Sequence, residues 1–294
     1  MIDLYKHLGT MQSMEDQVRE WWAIRHTREG RKIATQSRIT FAALSVARGG
    51  GANPYLFTRQ DHSAKTAHNA DVTDQAEQIV QYWLPHRLSQ IVNVCPWSTK
   101  GCRATCLHTS GRLGMTEVAK LVRVELFATD PFAYMVVMLT EIERHARRVA
   151  KCGKVLVIRP NGTADIPWEM LLFLFDLVAS LNLGATWFDY TKGILTTARR
   201  RRVPSPLSNY YTVASATETT TPETVADYPH NVVTVVDVPR GMPLPETMWG
   251  RQVVDGDRHD LRPFDPQVAA LVLVRAKGDA RKAVAGPDRF VKAV

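Results

Sequence analysis

The chain has 294 residues, enough to bury a sizeable core, and its 45% hydrophobic and 22% charged residues are those of a folded globular protein. No apolar run reaches the roughly 18 residues a membrane span needs; the nearest, Met170 to Leu183, is broken by Asp176 and Asn182. The formal charge of +8 points to a polyanionic partner, most simply nucleic acid.

The start, Met1-Ile2-Asp3-Leu4, lacks the basic and apolar runs of a secretory signal. Four cysteines, three of them clustered, imply ligation in a reducing, cytoplasmic setting rather than a disulfide scaffold. Residues 1–85 predict a basic helical region ahead of a barrel-like catalytic part, 86–294. Met14 to Ile24 is amphipathic through Val18, Trp21 and Trp22. With Arg19, Arg25, His26, Arg28, Arg31, Lys32 and Arg38 around the tryptophans, this segment reads equally as a nucleic-acid face or as a solvated flank over two core tryptophans. Gly49 to Pro54 breaks the pattern and lacks the context of a phosphate loop. Asp71-Val72-Thr73-Asp74 carries cap-like residues and predicts a helix running to about Leu84.

From residue 90 onward, β-branched runs predict strands at 90–94, 154–159, 185–190, 210–214, 231–236 and 270–274. Helical patterns fill the first two gaps, at 116–127 with 131–152, then at 168–181. Strand–helix alternation implies an α/β fold with a parallel sheet: a TIM-type (β/α) barrel or partial barrel with a helical N-terminal extension, or else a doubly wound sheet. Both architectures place chemistry at the C-terminal ends of the strands.

Those ends carry the candidate groups. Cys95, Cys102, Cys106 and His108 fall within fourteen residues, spaced Cys-x6-Cys-x3-Cys-x-His. They supply the four N/S ligands of a structural zinc; three thiolates would alternatively hold a [4Fe–4S] cluster with an open iron for S-adenosylmethionine. Cys152, at a helix end, reads as structural. The next two strand exits carry Asn161 with Asp165, and Asp189 with Lys192. Two carboxylates in one cleft can divide nucleophile and acid–base roles, although Asp165 could instead cap a helix near Trp168. Arg199, Arg200, Arg201 and Arg202 form a dense candidate phosphate contact. Asp257 and His259, in the acidic stretch 253–266, and Lys277 beyond the last strand are candidate substrate-side groups. They could equally bind metal or pair with one another.

Cys-Pro-(x)5-Cys-x3-Cys, the 161–168 exit and Phe188-Asp189-Tyr190-Thr191-Lys192 resemble a group of phage and plasmid proteins from about Val94 to Lys282. More distantly, a basic barrel with paired aspartates and a Cys3His site is similar to the tRNA-guanine transglycosylase superfamily, which includes phage enzymes that exchange guanine in DNA for a 7-deazaguanine base. The chain departs from that superfamily in the placement of its zinc ligands and in lacking its glycine-rich substrate loop. The resemblance implies base exchange on DNA, with Asp189 as nucleophile at C1′ and Asp165 handling protons or the purine edge. A small deazapurine would be the second substrate, and a flipped base would be offset by phosphate contacts from Arg199–Arg202 and Lys277. The alternatives are a radical iron–sulfur enzyme and a zinc-stabilised, non-catalytic nucleic-acid-binding protein.

Overall fold

The computed structural model describes residues 1–62, 66, 74–195, 209–286 and 289–294. In chain order its helices and strands are α1 (Leu4–Ser13), α2 (Glu15–Ile24), α3 (Arg28–Ala47), β1 (Thr58–Arg59), β2 (Ala76–Val80), α4 (Lys100–Ala104), α5 (Glu117–Thr129), α6 (Pro131–Ala150), β3 (Val155–Arg159), α7 (Leu172–Ala179), β4 (Thr186–Thr191), β5 (Tyr210–Ser215), α8 (Pro222–Ala226), β6 (Val232–Val236), β7 (Thr247–Met248), β8 (Arg251–Asp255) and β9 (Leu271–Arg275). The α/β class expected from the alternation is what is observed. No described helix is long and apolar enough to cross a membrane.

The contacts divide the chain into two units. The first comprises 1–59, 75–96 and 116–187; the second comprises 60–74, 97–115 and 188–294. In the first, β2 pairs in parallel with β3, and β3 with β4, while β1 closes the β2 edge antiparallel. Helix α6 is the main support of this sheet. Asp130 caps it by accepting from the Ala133 N–H at 3.0 Å, Pro131 opens its first turn, and its apolar stripe from Ala133 to Val149 is buried. An aromatic cluster of Trp83, Phe127, Tyr134 and Trp168, with centroids 5.3–6.3 Å apart, fills the core beside it.

The second unit orders its strands β4-β5-β6-β9-β8-β7. The ladders β5–β6, β6–β9 and β9–β8 are parallel, and β7 is antiparallel. β6 (VVTVV) and β9 (LVLVR) are near-continuous apolar runs because both of their faces are covered. One face holds Ala214, Val232, Val236, Leu271 and Leu273; the other holds Val213, Val233 and Val272, with Tyr190 and Tyr211 against them. A parallel link from β8 to its neighbour β9 needs a crossover. Residues 256–270 provide it, so the acidic stretch is the end of β8 followed by this connection.

Three expectations are corrected. The helix foreseen from Asp71 to Leu84 contains strand β2 instead, in register with β3 from Ala76↔Val155 to Val80↔Arg159. Gln78 is 0% exposed there and Glu77 pairs with Arg148 of α6, so tertiary partners override a polar, helix-like pattern. The strand expected over 90–94 does not form. Gln90 has φ +58, and only Val92 makes a bridge, to Ile2. The helix expected over 168–181 is a 3-10 turn, Trp168–Met170, followed by the shorter α7.

Candidate functional site

In the first unit, the exit of β3 folds back around Trp83. The Thr163 hydroxyl lies 2.8 Å from the Trp83 backbone N–H and 2.6 Å from its carbonyl, and the Trp83 indole donates to the Pro160 carbonyl at 2.7 Å. Asn161 is the tie within this loop. Its Oδ1 accepts from the Ile166 N–H and the Trp168 indole, both at 3.1 Å, and its Nδ2 donates to the Ile166 carbonyl at 2.9 Å. Asp165 is buried alongside, with its backbone N–H on the Val94 carbonyl at 2.9 Å. The 3-10 turn that follows has Pro167 at its N-cap. Cys95 belongs to the same unit. Its Sγ accepts from the His86 N–H at 3.2 Å and lies 3.7 Å from the Thr163 carbonyl.

In the second unit, strand alternation puts Asp189 on the β4 face opposite Tyr190. Asp189 is 1% exposed, and the Tyr210 hydroxyl, from the start of β5, donates to its Oδ2 at 3.1 Å. On the other face the Tyr190 hydroxyl donates to Asp260 Oδ1 at 3.0 Å. Lys192, just past β4, is half-buried.

The later part of the cysteine stretch is fastened to the C-terminal strand ends of this second unit. Glu218, beyond β5, accepts from the Thr99 hydroxyl at 2.6 Å and from the Gly101 N–H at 2.8 Å, and Thr99 in turn caps Cys102 N–H at 3.1 Å. Burial alone would raise the Glu218 carboxyl; these donors hold it below the ordinary range. Buried Lys292 donates to the carbonyls of Glu218 and Thr220. The 3-10 turn Leu107–Thr109 packs on the one at Gly278–Lys282. Glycine is required at 278: its φ is +56, and a Cβ would stand 2.3 Å from Ser110 Oγ and 3.2 Å from Ser110 Cα.

Asp257 and Lys277 meet as an ion pair at 2.8 Å, and Arg275 joins Asp255 and Asp257 at 3.1 and 3.3 Å. Burial pushes the Asp257 carboxyl up, but Lys277 and Arg275 outweigh it and hold it low. His259 works inside the crossover. Its Nδ1 accepts from the Leu261 N–H at 3.2 Å, so the proton sits on Nε2, 3.4 Å from Asp265 Oδ1. Burial, then Arg262, lower its pKa to about 4. Asp265 is raised to about 6 by burial, against the pull of Arg262 at 3.2 Å. Arg199, Arg200, Arg201 and Arg202 lie outside the described residues.

Of the sequence candidates, the structure joins Asp257 with Lys277 and assigns Asn161 and His259 to loop geometry. Cys95, Asn161 and Asp165 fall in the first unit; Cys102, Cys106, His108, Asp189 and Lys192 fall in the second. The thiol and imidazole donors suit zinc chemically; among the described residues no three His, Cys, Asp or Glu side chains form a metal-holding group. Sequence reading missed Tyr210, Glu218 and the Arg262–Asp265 pair. Tyr210 begins a foreseen strand next to that of Asp189, which was its one available signal.

Fold and site together define an α/β protein that carries a buried carboxylate on a parallel strand and a cysteine-bearing segment at its strand ends. Residues 55–291 match the family described as Gene product 88, and the chain belongs to that family. No curated protein and no solved structure matches it.

Proposed function

We propose that the protein is a base-exchange enzyme acting on DNA, with Asp189 as nucleophile. The observation that carries this reading is the buried Asp189 carboxylate, oriented by the Tyr210 hydroxyl at 3.1 Å on a strand of a parallel sheet. A carboxylate nucleophile must present one oxygen along a fixed line, and a hydrogen bond to the other fixes the carboxylate plane. In the reaction, an Asp189 oxygen bonds to C1′ of a deoxyguanosine as the C1′–N9 bond breaks, and guanine leaves with the electron pair and takes up a proton. N9 of a deazapurine such as 7-cyano-7-deazaguanine then bonds to C1′, loses its proton and releases the carboxylate. No oxidant or reductant enters.

In this reading the strands belong to a TIM-type barrel, complete or partial, and the +8 charge, the Arg199–Arg202 run and Lys277 serve the DNA backbone. Zinc enters only as a structural ion of the cysteine stretch, supported by its donor set. Elemental analysis of the purified protein checks this: about one zinc per chain is expected. Absence of zinc would remove that ion, and iron with matching sulfide would favour the radical alternative.

The test of the function is Asp189→Asn, which keeps an oxygen for Tyr210 to donate to. Incorporation of a labelled deazaguanine into duplex DNA should fall about a thousandfold or more, with the fold intact by circular dichroism. Undiminished exchange would sink the assignment. If neither protein exchanges bases but both bind DNA with the same salt dependence, the non-catalytic binding reading takes its place.

A further inference from the structure

The elbow between α2 and α3, in the first unit, gathers cations around one carboxylate. Arg25 Nε lies 2.9 Å from Glu143 Oε2, while Arg147 Nη2 at 2.6 Å and His26 Nε2 at 3.2 Å share Oε1. Burial pushes the Glu143 carboxyl up, but Arg147 and Arg25 bring it below its ordinary range, so it stays ionised at the centre of the group. Arg31 donates to the His26 carbonyl, and Arg28, Arg31 and Lys32 are all exposed on the first two turns of α3. Only Glu29, 3.3 Å from Lys32, offsets them there.

The elbow is closely built. The Trp21 indole donates to the Gly30 carbonyl at 3.1 Å, and a Cβ at Gly30 would stand 2.2 Å from the Ile24 carbonyl oxygen. Other basic residues of the region are tied to carboxylates: Arg19 to Glu15, Arg38 to Glu141 and Arg48 to Glu125. Of Arg28, Arg31 and Lys32, only Lys32 has a carboxylate partner among these pairs, Glu29. All three lie in the first two turns of a 20-residue helix, at its positive end, where a cation in the first turn opposes the helix dipole. Helix stability does not account for placing three of them there.

We propose that this elbow is a docking surface for the sugar-phosphate backbone of duplex DNA. Four of its five permanent cations, Arg25, Arg28, Arg31 and Arg147, are arginines, whose planar forks match phosphate oxygens. Trp21 and Trp22 are buried, so the surface offers phosphates charge rather than aromatic wedges for a bilayer. The proposal rests on the proposed function only in taking DNA as the partner.

The experiment is binding of a labelled DNA duplex by the full chain across a series of salt concentrations. Each lost phosphate contact lowers the slope of log affinity against log salt by about 0.9, so Arg28→Ala/Arg31→Ala/Lys32→Ala should lose roughly 2–3 of that slope. A control of equal charge change, Lys6→Ala/Arg240→Ala/Lys282→Ala, removes other exposed cations and should lose clearly less. The thermal midpoint of the elbow variant should be unchanged or higher, since alanines replace cations opposed to the dipole. The proposal is overturned by a wild-type slope in the elbow variant, by an equal loss in the control, or by a fall of several degrees in the midpoint. Wild-type protein that ignores DNA, or prefers phosphatidylserine vesicles to it, overturns it too. Exchange by Asp189 is read separately, so an elbow that fails while exchange persists leaves the proposed function standing.

Discussion

His145 shows how one side chain can set the acid limit of the protein. It is buried in α6, and burial, then Arg144, Arg148 and Arg59, lower its pKa to about 4. The folded protein therefore keeps the imidazole neutral where the unfolded chain, near 6.5, takes up a proton. The stability it contributes is complete above pH 6.5 and is lost as pH falls from there toward 4, by about 3 kcal/mol in all. Asp265, raised to about 6, acts in the opposite direction, because its stabilising effect is lost as pH rises from the carboxylate range. Comparing wild type with His145→Gln isolates the histidine: the difference in unfolding free energy between pH 7 and pH 4.5 should shrink in the variant. An identical pH dependence would mean the imidazole is protonated in the folded state. At this scale the sequence was partly legible. Asp189 stood out as a carboxylate on a predicted strand, but nothing in the sequence around Asn161 or His259 says that their polar atoms hold loops together.

Among the elements, strands buried on both faces were the easiest to read. β3, β6 and β9 are near-continuous apolar runs, and their bounds fall within a residue or two of those expected. β2 was missed because Glu77 is paired with Arg148, distant in sequence, and Gln78 is fully buried, neither of which a local pattern reveals. The cysteine stretch was expected at the end of a strand over 90–94, which does not form; its later part is anchored beyond β5 and β9 instead. Its later half is held there by Glu218 and the turn at Gly278–Lys282, far along the chain, and not by a preceding strand. Gly278→Ala tests that attachment. A Cβ at positive φ and in contact with Ser110 should cost about 1–3 kcal/mol in chemical denaturation and speed the reaction of Cys102 and Cys106 with a thiol reagent. Unchanged labelling rates would show that the turn at 278–282 does not restrain the segment.

For the whole molecule, charge and composition were legible early, and the α/β class followed from alternation. The partition was not, because each unit is assembled from three separated stretches, with the chain passing between them five times. Contacts of such long sequence separation leave no local trace. The fastening of residues 97–109 to Glu218 and to 278–282 also bears on how the protein is born. During synthesis Cys102 and Cys106 emerge more than a hundred residues before Glu218, and the turn at Gly278 follows later still. Their segment waits on the ribosome-bound chain without the groups that anchor Thr99 and Gly101, so both thiols are freely accessible in the nascent protein and only partly buried once the fold is complete.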